Sequence, residues 1–132
     1  MAAWWRRATW GLPQRARYVA TLDHNDLSLP ERLAKQVAYL DTHPDVVLVA
    51  TEIEIEAPGR RRAPDHGRGG DPALMRWLRH VDNPLTWSSV MVRADAVRRL
   101  GAFVRPEYEL ADDFDLYHRL LAVGKSPNWT RY

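Results

Sequence analysis

The chain has 132 residues, no cysteine, 45% apolar and 27% charged residues, and a net charge of +2. This length and balance suit one globular domain that buries roughly two-thirds of its unfolded surface, and they exclude a disordered polymer, a collagen-like repeat and a disulfide-stapled miniprotein. The small net charge gives no reason to expect a nucleic-acid partner, although arginine supplies 17 of the 19 basic residues.

Residues 1–17 have no helical or strand period; Trp4, Trp5 and Trp10 are scattered among arginines. No apolar stretch follows these charges, and no run of about 18 apolar residues occurs anywhere. A cytoplasmic setting, including the inner face of the membrane, is the expectation. Tyr18 to Leu22 reads as a short strand that stops at the loop formers Asp23, His24, Asn25 and Asp26. Ser28 and Glu31 have capping-box spacing, with Pro30 in the first turn and Leu33, Val37 and Leu40 on one apolar helix face. His43-Pro44-Asp45 ends that helix.

Val46 to Ala50 is continuously apolar, as in a strand buried on both faces, and residues 51–56 alternate towards an exposed edge. Strand, helix and strand over residues 18–51 have the size of one βαβ unit, for which parallel strands are expected. Residues 57–70 read as a basic loop, 71–81 as a helix, and 86–92 as a strand. Ala94 to Leu100 is a short helix closed by Gly101, and Asp112 to Val123 is a last helix stopped by Gly124. No repeat is present.

Two clusters could carry chemistry. Asp23, Asn25 and Asp26 follow the C-terminal end of a predicted parallel strand, where open α/β sheets bind ligands. Asp23 and Asn25 offer hard oxygens at i and i+2 suited to Mg2+ or Mn2+, and an ordinary acidic turn explains the same residues. Asp112, Asp113 and Asp115 crowd a helix start, where the macrodipole favours negative charge and mutual repulsion raises at least one pKa. A carboxylate so tuned is a candidate general base. Arg60 to Arg62 read as a solvated loop face, with an anion-holding role as the alternative. His66, His80 and His118 have no ligand spacing.

Three blocks together resemble a known family. Residues 18–33, from Tyr18-Val19-Ala20-Thr21-Leu22-Asp23 through Ser28-Leu29-Pro30-Glu31-Arg32-Leu33, resemble the strand, Asp-x-Asp-Asp cluster and helix start of GT-A type, family 2 glycosyltransferases. Residues 83–91 resemble the family's Asn-Pro…Ser-Val-Met strand, and Ala111-Asp112-Asp113-Phe114-Asp115-Leu116 resembles its Glu-Asp-Tyr-Asp-Leu-Trp segment. The blocks keep the family's order over residues 11 to about 129.

The resemblance implies an α/β, partial GT-A fold with a mainly parallel sheet and flanking helices. It also implies metal-dependent, inverting transfer of a sugar from a nucleotide-sugar donor to a glycan, lipid-linked or other hydroxyl acceptor. Asp23 and Asn25 would hold Mg2+ or Mn2+; Asp23, Asn25, Asp26 and Asp112 would bind the donor; Asp113 would be the catalytic base. Asn25 departs by bringing no charge, Trp87 stands where relatives often carry His, and Asp112 replaces Glu. Residues 1–10 match nothing in the family, and 11–132 read as an incomplete domain whose N-terminal nucleotide-binding part is missing. Two consequences are expected: negligible transfer by the chain alone, and self-association through an exposed sheet edge. The alternatives are a non-catalytic remnant or interaction module of the same fold, and an unrelated metal-dependent phosphoryl-transfer or hydrolytic site.

Overall fold

Residues 46–50 are all buried, and the strand they contain is one wall of a small three-stranded sheet. The computed structural model describes residues 15–57, 60, 61, 85–108 and 111–125. In chain order these form β1 (Tyr18–Ala20), α1 (Arg32–Thr42), β2 (Leu48–Ala50), the paired β3 (Glu56–Ala57) and β4 (Arg60–Arg61), a 3-10 turn at Trp87–Ser89, β5 (Val90–Arg93), α2 (Ala94–Leu100), a 3-10 turn at Pro106–Tyr108, and α3 (Asp112–Val123). The expected lead-in at residues 1–10 and the helix over 71–81 lie outside the described residues. None of the described helices is long and apolar enough to cross a membrane.

The sheet order is β1-β5-β2, and both pairings are antiparallel. The mainly parallel sheet expected from the sequence is therefore corrected. β1 and β2 do run the same way, joined through α1, but β5 lies between them and bonds to each in the opposite sense. Tyr18, Val19 and Ala20 face Arg93, Val92 and Met91 across one ladder; Leu48, Val49 and Ala50 face Val92, Met91 and Val90 across the other. The period-2 rule then sorts the core into two faces. Leu48, Ala50, Val90 and Val92 pack with Val97, Leu116 and Leu120 on the side of α2 and α3; Val49 and Met91 pack with Leu40 of α1 on the other.

Helix α1 turns a different face to the sheet from the one its apolar spacing suggests. Arg32, Gln36 and Leu40 are its buried residues, whereas Leu33 is exposed and Val37 only half-buried. The reason is the demand of buried backbone carbonyls for donors. Arg32 Nη2 donates to the carbonyl oxygens of Thr21 and Val90, each at 3.0 Å, and Gln36 Nε2 donates to that of Ser89 at 2.7 Å. The capping box does not form: Glu31 is the N-cap with no side-chain cap bond, and Ser28 Oγ reaches only the Leu29 carbonyl, at 3.5 Å.

Arg93 closes the other end of α1 by donating to the carbonyls of Leu40, His43 and Val46. The predicted strand over 86–92 splits: Ser89 N–H and Oγ both bond to the Thr86 carbonyl, which winds 87–89 into a 3-10 turn before β5 begins. The alternation over 51–56 does not extend β2; Glu56 and Ala57 instead pair with Arg61 and Arg60. Gly101 ends α2 with φ of 76°, a left-handed conformation that favours glycine. Gly124 is needed for a different reason. Its backbone is extended, but a Cβ there would lie 2.1 Å from Val47 Cγ1.

Arg32→Leu removes a donor from two buried carbonyls while leaving the apolar contacts of its stem. It is expected to lower stability by about 1–3 kcal/mol, read as a lower denaturation midpoint in urea with an unchanged slope.

Candidate functional site

The C-terminal end of β1, the turn before β5 and the start of α3 meet at one end of the sheet. Thr21 fixes the exit from β1: its N–H extends the ladder to the Val90 carbonyl, and its buried hydroxyl reaches the carbonyls of Trp87 and Val90. Two residues later the Asp23 N–H donates to Ser88 Oγ at 2.9 Å. The backbone of Asp23 is thereby tied to the turn preceding β5, while its side chain stays exposed. Asp26 N–H closes the following turn on the Asp23 carbonyl at 3.2 Å, with Asn25 and Asp26 both exposed.

Asp112 and Asp113 open α3 and are half-buried. Asp112 Oδ1 accepts the Asp113 N–H at 2.9 Å, and Asp113 Oδ1 accepts the Phe114 N–H at 2.7 Å. Burial first, and then the Asp113 charge, push the Asp112 pKa above the usual carboxylate range. One turn on, Tyr117 is 3% exposed, and its hydroxyl has no hydrogen-bond partner among the described residues. Burial drives the Tyr117 pKa far up, and the charges of Asp113, Asp112 and Asp23 add to that rise. Asp23 and the start of α3 thus act on one phenol. Trp87 packs edge-on to Phe103, with centroids 5.9 Å apart, and lies 6.4 Å from the Tyr117 ring.

Asp115 has a separate job. It is buried and bonded by Arg105 and Arg119; Arg119 also donates to the carbonyls of Ala102 and Phe103. This clasp holds the segment before α3 against the helix. Burial works to raise the Asp115 pKa, but the two guanidinium groups outweigh it and hold the carboxyl below its ordinary value.

Asp112 and Asp113 share the first turn of α3, while Asp23, Asn25 and Asp26 lie in the exposed turn after β1. Among the described residues, no three His, Cys, Asp or Glu side chains converge as a cation cage. Residues missed by sequence reasoning are Ser88, Arg32 and Tyr117. Arg32 and Ser88 stand inside the blocks that carry the family resemblance, and Tyr117 stands four residues after Asp113 and hence on the same helix face.

Comparison with known proteins gives a consistent direction. The chain is 31% identical over 107 residues to the "Amylovoran biosynthesis glycosyltransferase AmsE" of Erwinia amylovora, covering 80% of this chain and 39% of that protein. It is 33% identical over 113 residues to the Bacillus subtilis protein named "Putative glycosyltransferase EpsE", covering 81% and 38%. A 34% match over 107 residues to "Uncharacterized protein y4gI" of Sinorhizobium fredii covers 81% of this chain and 11% of that protein. The chain is thus related to proteins named glycosyltransferases and spans less than two-fifths of their length. No family model and no solved structure matches it.

The clasp at Asp115 carries a pH dependence. Its folded-state pKa lies below the unfolded value of about 3.9, so its stability contribution is complete above that value and is lost as pH falls through the folded pKa. Asp115→Asn is expected to flatten the fall of thermal stability with pH below about 4, measured as Tm across an acid series.

Proposed function

We propose that this chain forms part of a GT-A, family 2-like glycosyltransferase domain that moves a sugar from a nucleotide-sugar donor to an acceptor hydroxyl with inversion. The observation that carries this reading is the acidic start of α3, Asp112 and Asp113, one turn from a buried Tyr117 that packs near Trp87, in the turn whose Ser88 also holds the Asp23 backbone. The named relatives support it.

Asp113 is the base. It accepts the proton of the acceptor hydroxyl as that oxygen bonds to the anomeric carbon, while the bond from that carbon to the diphosphate breaks and its electron pair leaves with the diphosphate. Asp23 and Asn25 would hold Mg2+ or Mn2+, and Asp26 and Asp112 would help to bind the donor. When bound, the cation offsets charge on the leaving diphosphate. The Ser88 bond to the Asp23 N–H keeps that segment in place, and the half-buried position of Asp113 limits competing solvent. The acceptor is a glycan, lipid-linked or other hydroxyl compound, and the setting is the cytoplasm or the inner face of the membrane.

A non-catalytic module of the same fold is the second reading, favoured by the uncharged Asn25. The chain alone is expected to turn over negligibly; release of nucleoside diphosphate from UDP-, GDP- and dTDP-sugars with Mn2+ by the chain completed with a nucleotide-binding segment separates the two. Glycosyl transfer predicts turnover that chelation abolishes and that Asp113→Asn lowers by about 100-fold or more. Asp23→Ala is expected to raise the Mn2+ concentration required by about tenfold. Binding of a nucleotide-sugar without turnover supports the module.

The outer edge of β1 has no strand partner among the described residues. Such an edge offers unpaired backbone groups to another copy. Self-association is expected in light scattering coupled to size exclusion, and a monodisperse monomer over a wide concentration range contradicts it.

A further inference from the structure

The hydroxyl of Tyr117 sits in the apolar core yet has no hydrogen-bond partner among the described residues. Its ring fills space beside Trp87 and belongs to the cluster that holds Leu116 and Leu120. Phenylalanine would make the same apolar contacts without stranding a polar atom, so packing explains the ring and not the oxygen. Among the described residues, the charged groups that bear on this oxygen are carboxylates: Asp113 and Asp112 from the start of α3, and Asp23 after β1. Arg105, before α3, and Arg119, two residues beyond Tyr117 and so on another face of the helix, are engaged by Asp115.

An O–H group in negative surroundings is a donor in search of an anion. Asp113 is placed to be that anion, because it precedes Tyr117 by four residues on α3, one turn back on the same face. Its Oδ1 already accepts the Phe114 N–H, which turns the carboxylate towards the helix start. An acceptor hydroxyl arriving at Asp113 gives that carboxylate reason to reorient. We propose that Tyr117 is a positioning residue for Asp113, whose hydroxyl donates to the Asp113 carboxylate in the substrate-loaded site and steadies the oxygen that takes the acceptor proton. This inference rests on the glycosyl-transfer reading. It adds a residue that acts through the base and does not touch the sugar.

The test compares Tyr117→Phe with the unaltered protein in two measurements. The first is the Tm of the ligand-free protein. The second is kcat and KM for nucleoside diphosphate release from whichever of the UDP-, GDP- and dTDP-sugars is turned over with Mn2+. The expected result is a Tm equal to or above that of the unaltered protein, with kcat reduced about tenfold or more and KM within about twofold. A lower Tm with unchanged kcat means a purely structural hydroxyl and overturns the inference. So does an unchanged kcat at any Tm, or a loss confined to KM. Absence of turnover in the unaltered chain completed by a nucleotide-binding segment overturns the glycosyl-transfer reading and this inference together, whereas normal turnover in Tyr117→Phe so completed overturns this inference alone.

Discussion

Carbonyl oxygens at the ends of short strands must find donors, and in this protein arginine supplies them. Arg32 reaches the carbonyls of Thr21 and Val90, Arg93 those of Leu40, His43 and Val46, and Arg119 those of Ala102 and Phe103. Each guanidinium offers several donors in a planar fork, so one side chain can close two or three backbone gaps at once. The sheet has strands of three or four residues, and its ladders alone leave many groups unpaired. The arginine contacts convert those ends into fixed points, and the candidate site is built on one of them.

The site shows how the same residue type takes different roles through its neighbours. Asp115 lies within the same first turn as Asp112 and Asp113 but is neutralised by two guanidinium groups and serves the fold. Asp112 is left with burial and a like charge beside it, which favours its protonated form. Asp23 is exposed in its side chain and restrained in its backbone. The aromatic pair Trp87 and Tyr117 forms the apolar floor beneath these carboxylates.

Much of this was legible in the sequence, and the failures share a cause. The order strand, acidic turn, helix, buried strand could be read from residues 18–50, because burial and turn chemistry are local. The stop at Gly101 and the helix over Asp112–Val123 were legible for the same reason. The buried face of α1 was not, because Leu33 and Val37 gave a plausible apolar stripe while the sheet called for Arg32 and Gln36. Nor could the sequence show β5 entering between β1 and β2, since pairing sense is decided by partners as distant in the chain as Tyr18 and Arg93 or Leu48 and Val92. The acidic clusters were visible as composition; their convergence on a buried phenol depends on tertiary packing.

The central position of β5 also dictates an order of events during synthesis. β1 and β2 share no ladder, so residues 15–57 emerge from the ribosome with both strands unpaired. Neither strand gains a partner in this sheet until Val90 to Arg93 has been translated and released. A single four-residue segment then completes both ladders together. Among the described residues no ladder of this sheet forms before β5 arrives, and Leu22, Leu27 and Leu29, which stay exposed in the folded protein, follow β1 in the chain. For this protein the vulnerable interval is set by the distance along the message between β1 and β5.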